Sequence, residues 1–220
     1  MSKKIGIIAD TVTDTKMGGV FFEREGYDVV MRPVKENSVE CTRFFQEPPK
    51  QRDSYITLLI NEIKAEGAKA MVFYANSICG YIDVERLCAE NDIAVITPFQ
   101  AYKRLGKTYK KPCVWAATVG ALEGIESSLR ESNPNIEVCG VSILSAAICI
   151  ENGLSPDEVI RKNGLKELTM FGEQSGCDSV ILGCTHFPYL MPELLSFAKI
   201  PVLDPVGVML DILKEKINSQ

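Results

Sequence analysis

The most constraining feature of this chain is that it repeats itself. Residues 66–77, from Glu66 to Ser77, align without a gap against residues 175–186, from Ser175 to His186, at an offset of 109. Ile93–Pro98 echoes Ile200–Pro205, Tyr27–Val29 echoes Ile136–Val138, and the opening strand at Ile5 falls opposite Val114. Shared strand–helix grammar could produce one such match. Several blocks in the same order favour duplication. The expected outcome is two similar halves, 1–98 and 99–206, with the last helix, 207–220, packing back on the first half.

Short apolar runs alternate with longer amphipathic stretches. The runs predict strands at Lys4–Ile8, Tyr27–Met31, Ala70–Tyr74, Ala94–Ile96, Cys113–Ala117, Ile136–Val141, Ser179–Leu182 and Val202–Leu203. Between them, helices are expected over Asp53–Glu66, Tyr81–Asn91, Ala121–Ser132, Ser155–Ser175, Pro192–Ala198 and Val208–Asn218. Asp53-Ser54 reads as a cap, as does Ser155 before Pro156 and the acids Asp157 and Glu158. Strand–helix alternation specifies an α/β fold with parallel, Rossmann-like sheets. The duplication adds a pseudo-twofold and a cleft between the halves. Ligands of open parallel sheets bind beyond the carboxyl ends of the strands. Asp10-Thr11, Ala75-Asn76-Ser77, Thr118 and Cys184-Thr185-His186 all fall just past such ends and are expected to converge.

Composition excludes several classes. A net charge of −5 with interspersed signs shows no basic face for nucleic acid. No apolar run approaches membrane-spanning length. Lys3 and Lys4 lead into Ile5–Ile8, too short for a secretory core, so a cytoplasmic protein is expected. Its 8 cysteines then read as free thiols. Cys88, Cys113, Cys139, Cys149 and Cys177 sit in or beside apolar segments, where packing is the ordinary role.

The chemistry concentrates at Gly183-Cys184-Thr185-His186-Phe187-Pro188. A thiol just past a buried strand is exposed at its tip, near backbone N–H groups that favour thiolate. His186 is the only histidine, and it lies two residues after that thiol. Zinc would need three or four ligands at suitable spacing, and the chain has no Cys-x-x-Cys pair, so no metal is expected. The glycines form no phosphate cradle.

These segments resemble the cofactor-independent aspartate/glutamate racemases. Gly183–Pro188 is similar to the second cysteine motif of glutamate racemases. Asp10-Thr11 resembles their substrate-contact pair and Asn76-Ser77 the pair after their first cysteine. Thr118 falls in the Ala-Thr turn of the middle strand, and Glu151 matches a glutamate of the catalytic site. The resemblance implies an isomerase in which two thiols flank the α-carbon of an amino acid. One removes the proton as thiolate and the other returns one to the opposite face, the second cysteine serving the L-isomer. It implies no cofactor, a dicarboxylic amino acid as small-molecule partner, and a dimer. Cys184, His186, Asp10 and Glu151 would then be catalytic, and Thr11, Asn76, Ser77, Thr118 and Thr185 would hold substrate.

One departure matters. Where the family carries its first cysteine this chain has Ala75, and the internal repeat independently sets Ala75 opposite Cys184. Three readings stay open: a two-thiol racemase with its first cysteine replaced, a one-thiol reaction such as the decarboxylation of arylmalonates, or Cys79 reaching in from one turn further on. A dicarboxylate-binding protein without catalysis is a fourth. Residues 11–19 also read as a loop unlike the short glycine-rich one of glutamate racemases. Arg32 and Lys35, just past the second strand, are either contacts for a distal carboxylate or ordinary surface charges.

Overall fold

A computed structural model describes residues 4–218. The chain divides into two compact units, one running to Pro98 and taking in the residues from Met209 onward, the other Phe99–Val208.

The first unit is built on β1 (Lys4–Ala9), α1 (Val12–Arg24), β2 (Asp28–Pro33), α2 (Ser38–Phe45), α3 (Pro49–Ala65), β3 (Ala70–Phe73), α4 (Asn76–Tyr81), α5 (Val84–Glu90) and β4 (Ala94–Ile96). Its strands lie in the order β2-β1-β3-β4, and every pairing is parallel. All four residues of β3 are buried, as a strand covered on both faces requires. α3 buries Ile56, Leu59, Ile60 and Ile63, the i, i+3, i+4, i+7 stripe of a helix laid on a sheet. Each such side chain stabilises the unit by roughly 1.5–3 kcal/mol before chain entropy is counted.

The chain continues through α6 (Pro98–Thr108), β5 (Pro112–Ala116), α7 (Val119–Ser132), β6 (Cys139–Ser142), α8 (Leu144–Glu151), α9 (Pro156–Asn163), α10 (Leu165–Gln174), β7 (Ser179–Gly183), α11 (Met191–Phe197), β8 (Val202–Leu203) and α12 (Pro205–Asn218). The second sheet has the order β6-β5-β7-β8, again all parallel, which repeats the first sheet strand for strand. Alternate residues of β5 feed two cores: Cys113 and Trp115 pack with Val180, Leu182 and Phe187, while Val114 and Ala116 pack with Ile125, Leu129 and Ile181.

The ladders refine the repeat. Ile8 pairs with Phe73 and Trp115 with Leu182, so β1 and β5 correspond at an offset of 107, and Ile5 answers to Pro112, not Val114. The β2/β6 and β3/β7 pairs keep the offset of 109. Two extra residues between β5 and β6 account for the slip.

Other expectations need correction. Residues 12–24 form α1 instead of a loop, because Thr11 caps the helix by accepting from the Asp14 N–H at 3.2 Å. Asp53 and Ser54 do not start a helix. α3 begins at Pro49, and Asp53 instead binds Arg86 at 2.5 Å. The long helix expected over 155–175 is two, broken at Gly164 with φ 63°, a left-handed conformation that glycine adopts without penalty. Ser155 does cap α9, in a reciprocal box with Glu158. The sixth strand starts at Cys139, not Ile136. α2, α6 and α8 were not anticipated.

Candidate active site

In each parallel sheet the strands end on one edge, and the residues singled out from sequence sit on that edge of their own unit. Thr11 follows β1 and Thr118 follows β5. Both are extended residues whose hydroxyls accept an N–H three positions on, from Asp14 and Ala121. They are counterparts under the 107-residue offset. Helix capping therefore already occupies both hydroxyls as acceptors.

At the tip of β7 the backbone passes close to β5. A Cβ on Gly183 would lie 2.9 Å from the Trp115 carbonyl oxygen and 2.5 Å from Ile125 Cδ1, so only glycine fits before the thiol. Cys184 follows, half-buried, with its Sγ 3.6 Å from Nδ1 of His186. Thr185 Oγ1 is 3.5 Å from the same nitrogen. His186 Nε2 lies 3.4 Å from Glu151 Oε1, at the last residue of α8. Thiol, imidazole and carboxylate thus stand in line. The histidine is largely covered, its side chain 13% exposed against 52% for Glu151. An imidazole so placed can exchange a proton with sulfur, and a carboxylate on its far nitrogen fixes the tautomer.

The tip of β3 is built from the same geometry with different groups. Ala75, buried and extended, precedes α4 and offers no side-chain cap. Asn76 and Ser77 open the helix, half-buried. Ser77 Oγ donates to Asp10 Oδ2. Burial pushes the Asp10 carboxyl up to about 7, against the opposing effect of the Ser77 hydrogen bond. Cys79, half-buried on α4, has its thiol driven well above the ordinary value by burial, with Asp10 adding to that, which disfavours a resting thiolate there. Sequence reading passed over Cys41, which is buried on α2 and donates its S–H to the Asp10 carbonyl at 2.8 Å.

Arg32 is engaged by Glu62 and Glu66 and by the Met31 carbonyl. Lys35 rests its ammonium over Tyr55 at 4.2 Å and Phe44 at 5.0 Å. In the second unit the edge also holds Asp204, past β8, where burial raises the carboxyl to about 6. Its position was signalled by the echo of Thr97-Pro98 in Asp204-Pro205. Among the described residues no three His, Cys, Asp or Glu side chains are placed to hold a metal ion. No described helix is long and apolar enough to cross a membrane.

The protein is thus a doubled parallel α/β chain with a thiol–imidazole pair past β7 and a raised carboxyl past β1. No family model matches the chain. It is 26% identical over 166 residues, 72% of its own length and 60% of the relative's, to glutamate racemase 1 of Caldanaerobacter subterraneus subsp. tengcongensis. The chain thus spans about three fifths of that curated relative. Among solved structures, it resembles glutamate racemase from Francisella tularensis in complex with D-glutamate, with a TM-score of 0.72 at 17% identity over 98% of this chain and 81% of that one. An aspartate racemase homologue from Pyrococcus horikoshii gives 0.69 at 20% identity, covering 99% and 100% of the two chains. In sequence the chain is thus similar to glutamate racemases, and in fold to glutamate and aspartate racemases.

Proposed function

We propose that this chain is a racemase-type isomerase that takes a dicarboxylic amino acid, aspartate or glutamate, and exchanges its α-proton through the Cys184 thiolate without a cofactor. The observation that carries the reading is the line from Cys184 through His186 to Glu151. A free thiol has a pKa near 8.5 and an α-C–H is far less acidic, so the site must hold thiolate ready and stabilise the developing enolate-like charge. The imidazole supplies a partner for the sulfur proton, and Glu151 keeps its near nitrogen aimed at Sγ. The names of the relatives and of the neighbours' ligand support an amino-acid substrate. Asp10 is assigned to catalysis with His186 and Glu151, and Thr11, Asn76, Ser77, Thr118 and Thr185 to holding substrate. The other partner expected is a second copy of the chain.

Ala75 makes the site unequal. It carries no exchangeable proton, so interconversion of enantiomers is impaired relative to a two-thiol enzyme. The test is alkylation at neutral pH: Cys184 is expected to label first and to be protected by L-glutamate or L-aspartate. Labelling unaffected by any of the four acidic enantiomers would count against the assignment. Ala75 also favours a second reading, a one-thiol lyase that protonates a carbanion after carbon dioxide leaves. Carbon dioxide release from an arylmalonate would establish it.

A further inference from the structure

Three cysteines whose sequence setting suggests packing meet in the second unit. Cys113 is the second residue of β5, Cys139 opens β6 directly opposite it, and Cys177 lies two positions before β7. All three sit where the strands begin, at the other end of the sheet from Cys184. They share one hydrophobic core, and Gly172 of α10 packs on two of them: a Cβ there would lie 3.4 Å from Cys113 Sγ and 4.0 Å from Cys177 Cβ. Cys113 and Cys177 each hydrogen-bond to Cys139, and the bond raises both thiols, so both act as S–H donors to its sulfur.

The three differ in access. Cys113 and Cys177 are buried, while Cys139 is half-buried. Cys139 also lines an open cavity of about 450 Å³ with Lys111, Arg130 and Glu137. Lys111 pairs with Glu137 at 3.2 Å and Arg130 with Glu126 at 2.8 Å. With its charges paired, the cavity suits a small neutral reagent better than an anion.

We propose that Cys139 and Cys177 are a modification site, a dithiol that a peroxide converts to a disulfide, with Cys139 oxidised first. In the first step the Cys139 thiolate attacks one peroxide oxygen, the O–O bond breaks, and a sulfenic acid forms as hydroxide leaves. In the second the Cys177 thiolate attacks that sulfur, the S–S bond forms, and the S–O bond breaks with loss of hydroxide. The two thiol protons turn both hydroxides into water, so two thiols are oxidised as one peroxide is reduced. The site is independent of the Cys184 reading.

Cys177 is better placed than Cys113 to complete the bond. It stands outside the ladder, in the turn that leaves α10 through Gly176 at φ 76°, where the backbone can yield to the spacing a disulfide needs. Cys113 is held in register on both sides, by Cys139 and Val180, and its sulfur accepts the Trp115 indole N–H at 3.3 Å. Burial raises Cys113 to about 12 and Cys177 to about 11, with Lys111 lowering the latter, so thiolate is scarcer at Cys113.

The test treats the reduced full chain with a small molar excess of hydrogen peroxide at neutral pH and maps its cysteine peptides by mass spectrometry without reduction. The expected product is a linked Cys139–Cys177 peptide pair, lighter than its two parts by about 2 Da for the hydrogens lost, and parted again by dithiothreitol. In Cys177→Ser, Cys139 should stop at the sulfenic acid, read by dimedone addition. In Cys139→Ser, Cys177 should stay a thiol at doses that link the unsubstituted chain. Circular dichroism checks that both variants fold, and the map of the unsubstituted chain decides where one does not. In urea Cys139 should turn to Cys149, its nearer partner along the chain. A Cys139–Cys177 bond that forms equally in urea overturns the proposal. So does a Cys113–Cys139 bond in the folded chain, a Cys139 that passes to sulfinic acid unlinked, or a Cys139 left intact once Cys184 is fully oxidised.

Discussion

The tips of β3 and β7 are the same place in two copies of one sheet, yet they hold opposite kinds of chemistry. At β7 a half-buried thiol meets a histidine whose other face is turned to an exposed carboxylate. At β3 an alanine stands beside a buried carboxyl capped by a serine hydroxyl. The matching backbone thus sets polar groups at both tips, and burial governs how readily the Asp10 carboxyl ionises. The β7 tip keeps its machinery near solvent. At the β3 tip burial raises the neighbouring Asp10 carboxyl to about 7.

Four changes break or sharpen this contrast. The largest effect is expected from Cys184→Ser. An alcohol is a far weaker acid than a thiol, so α-proton exchange of the L-isomer should fall by about 10⁴-fold, the upper end of general acid–base contributions. Proton NMR in heavy water reads it. A fall of less than tenfold would move the chemistry away from β7. Next, Ala75→Cys makes the two tips alike and should raise interconversion of enantiomers by about 10²–10³-fold. Circular dichroism on a panel of D- and L-amino acids follows it. A folded variant with no gain would show that the β3 tip is not the second acid–base position.

The third effect is on stability. The Asp10 carboxyl is raised from 3.8 to about 7, so the native state binds its proton more tightly than the unfolded chain does. Its contribution is fully present below pH 3.8 and is lost as pH rises through about 7. At 1.36 kcal/mol per unit the loss is at most about 4 kcal/mol, and about half that once relaxation is allowed. Asp10→Asn, which mimics the neutral carboxyl, should match the unsubstituted chain near pH 4 and exceed it by about 2 kcal/mol at pH 8 in urea unfolding. A variant less stable at both pH values would show that the Ser77 bond outweighs burial. The smallest effect is expected from Glu151→Gln. Its side chain is half exposed, so screening limits its hold on His186. A loss of about 3–10-fold in L-side exchange is expected, and a loss as large as that of Cys184→Ser would make Glu151 a proton-transfer group in its own right.

Much of this was legible before any coordinates. The eight strands follow from β-branched runs bounded by turn residues, and the likeness of the two sheets from the repeat. A thiol and a lone histidine two residues apart at a strand end single out Cys184 and His186, and the structure sets Sγ 3.6 Å from Nδ1. What was missed has physical causes. Residues 11–19 read as a loop by comparison with the family's glycine-rich one, and Gly18 and Gly19 do lower helix propensity. In the structure they are buried, where a Cβ on Gly18 would lie 2.7 Å from the Tyr74 ring, so packing overrides propensity. The start of α3 was misplaced because Pro49 at the first helical turn was outweighed by a plausible cap at Asp53, whose carboxylate is spent on Arg86. No sequence pattern announces that Asp10 loses its water or that Cys41 donates to its carbonyl. Those facts depend on which helix covers a strand end, which is a matter of tertiary packing.

The membership of the last helix has a consequence in time. From Met209 onward the chain belongs to the first unit, where Met209, Leu210, Ile212 and Leu213 are buried and Lys216 Nζ donates to the Val95 carbonyl at 2.7 Å. During synthesis, everything up to Pro98 leaves the ribosome well before these residues exist. At roughly 5–20 residues per second, the 110 residues of Phe99–Val208 impose a wait of about 5–20 s. Through that interval the sheet carrying Asp10 and Ala75 lacks one of its covering helices, while the sheet carrying Cys184 can close as soon as its own strands emerge. The half of the molecule made first is therefore the half completed last. A nascent chain arrested before Met209 should be cut by protease within its first 98 residues sooner than within the segment that follows.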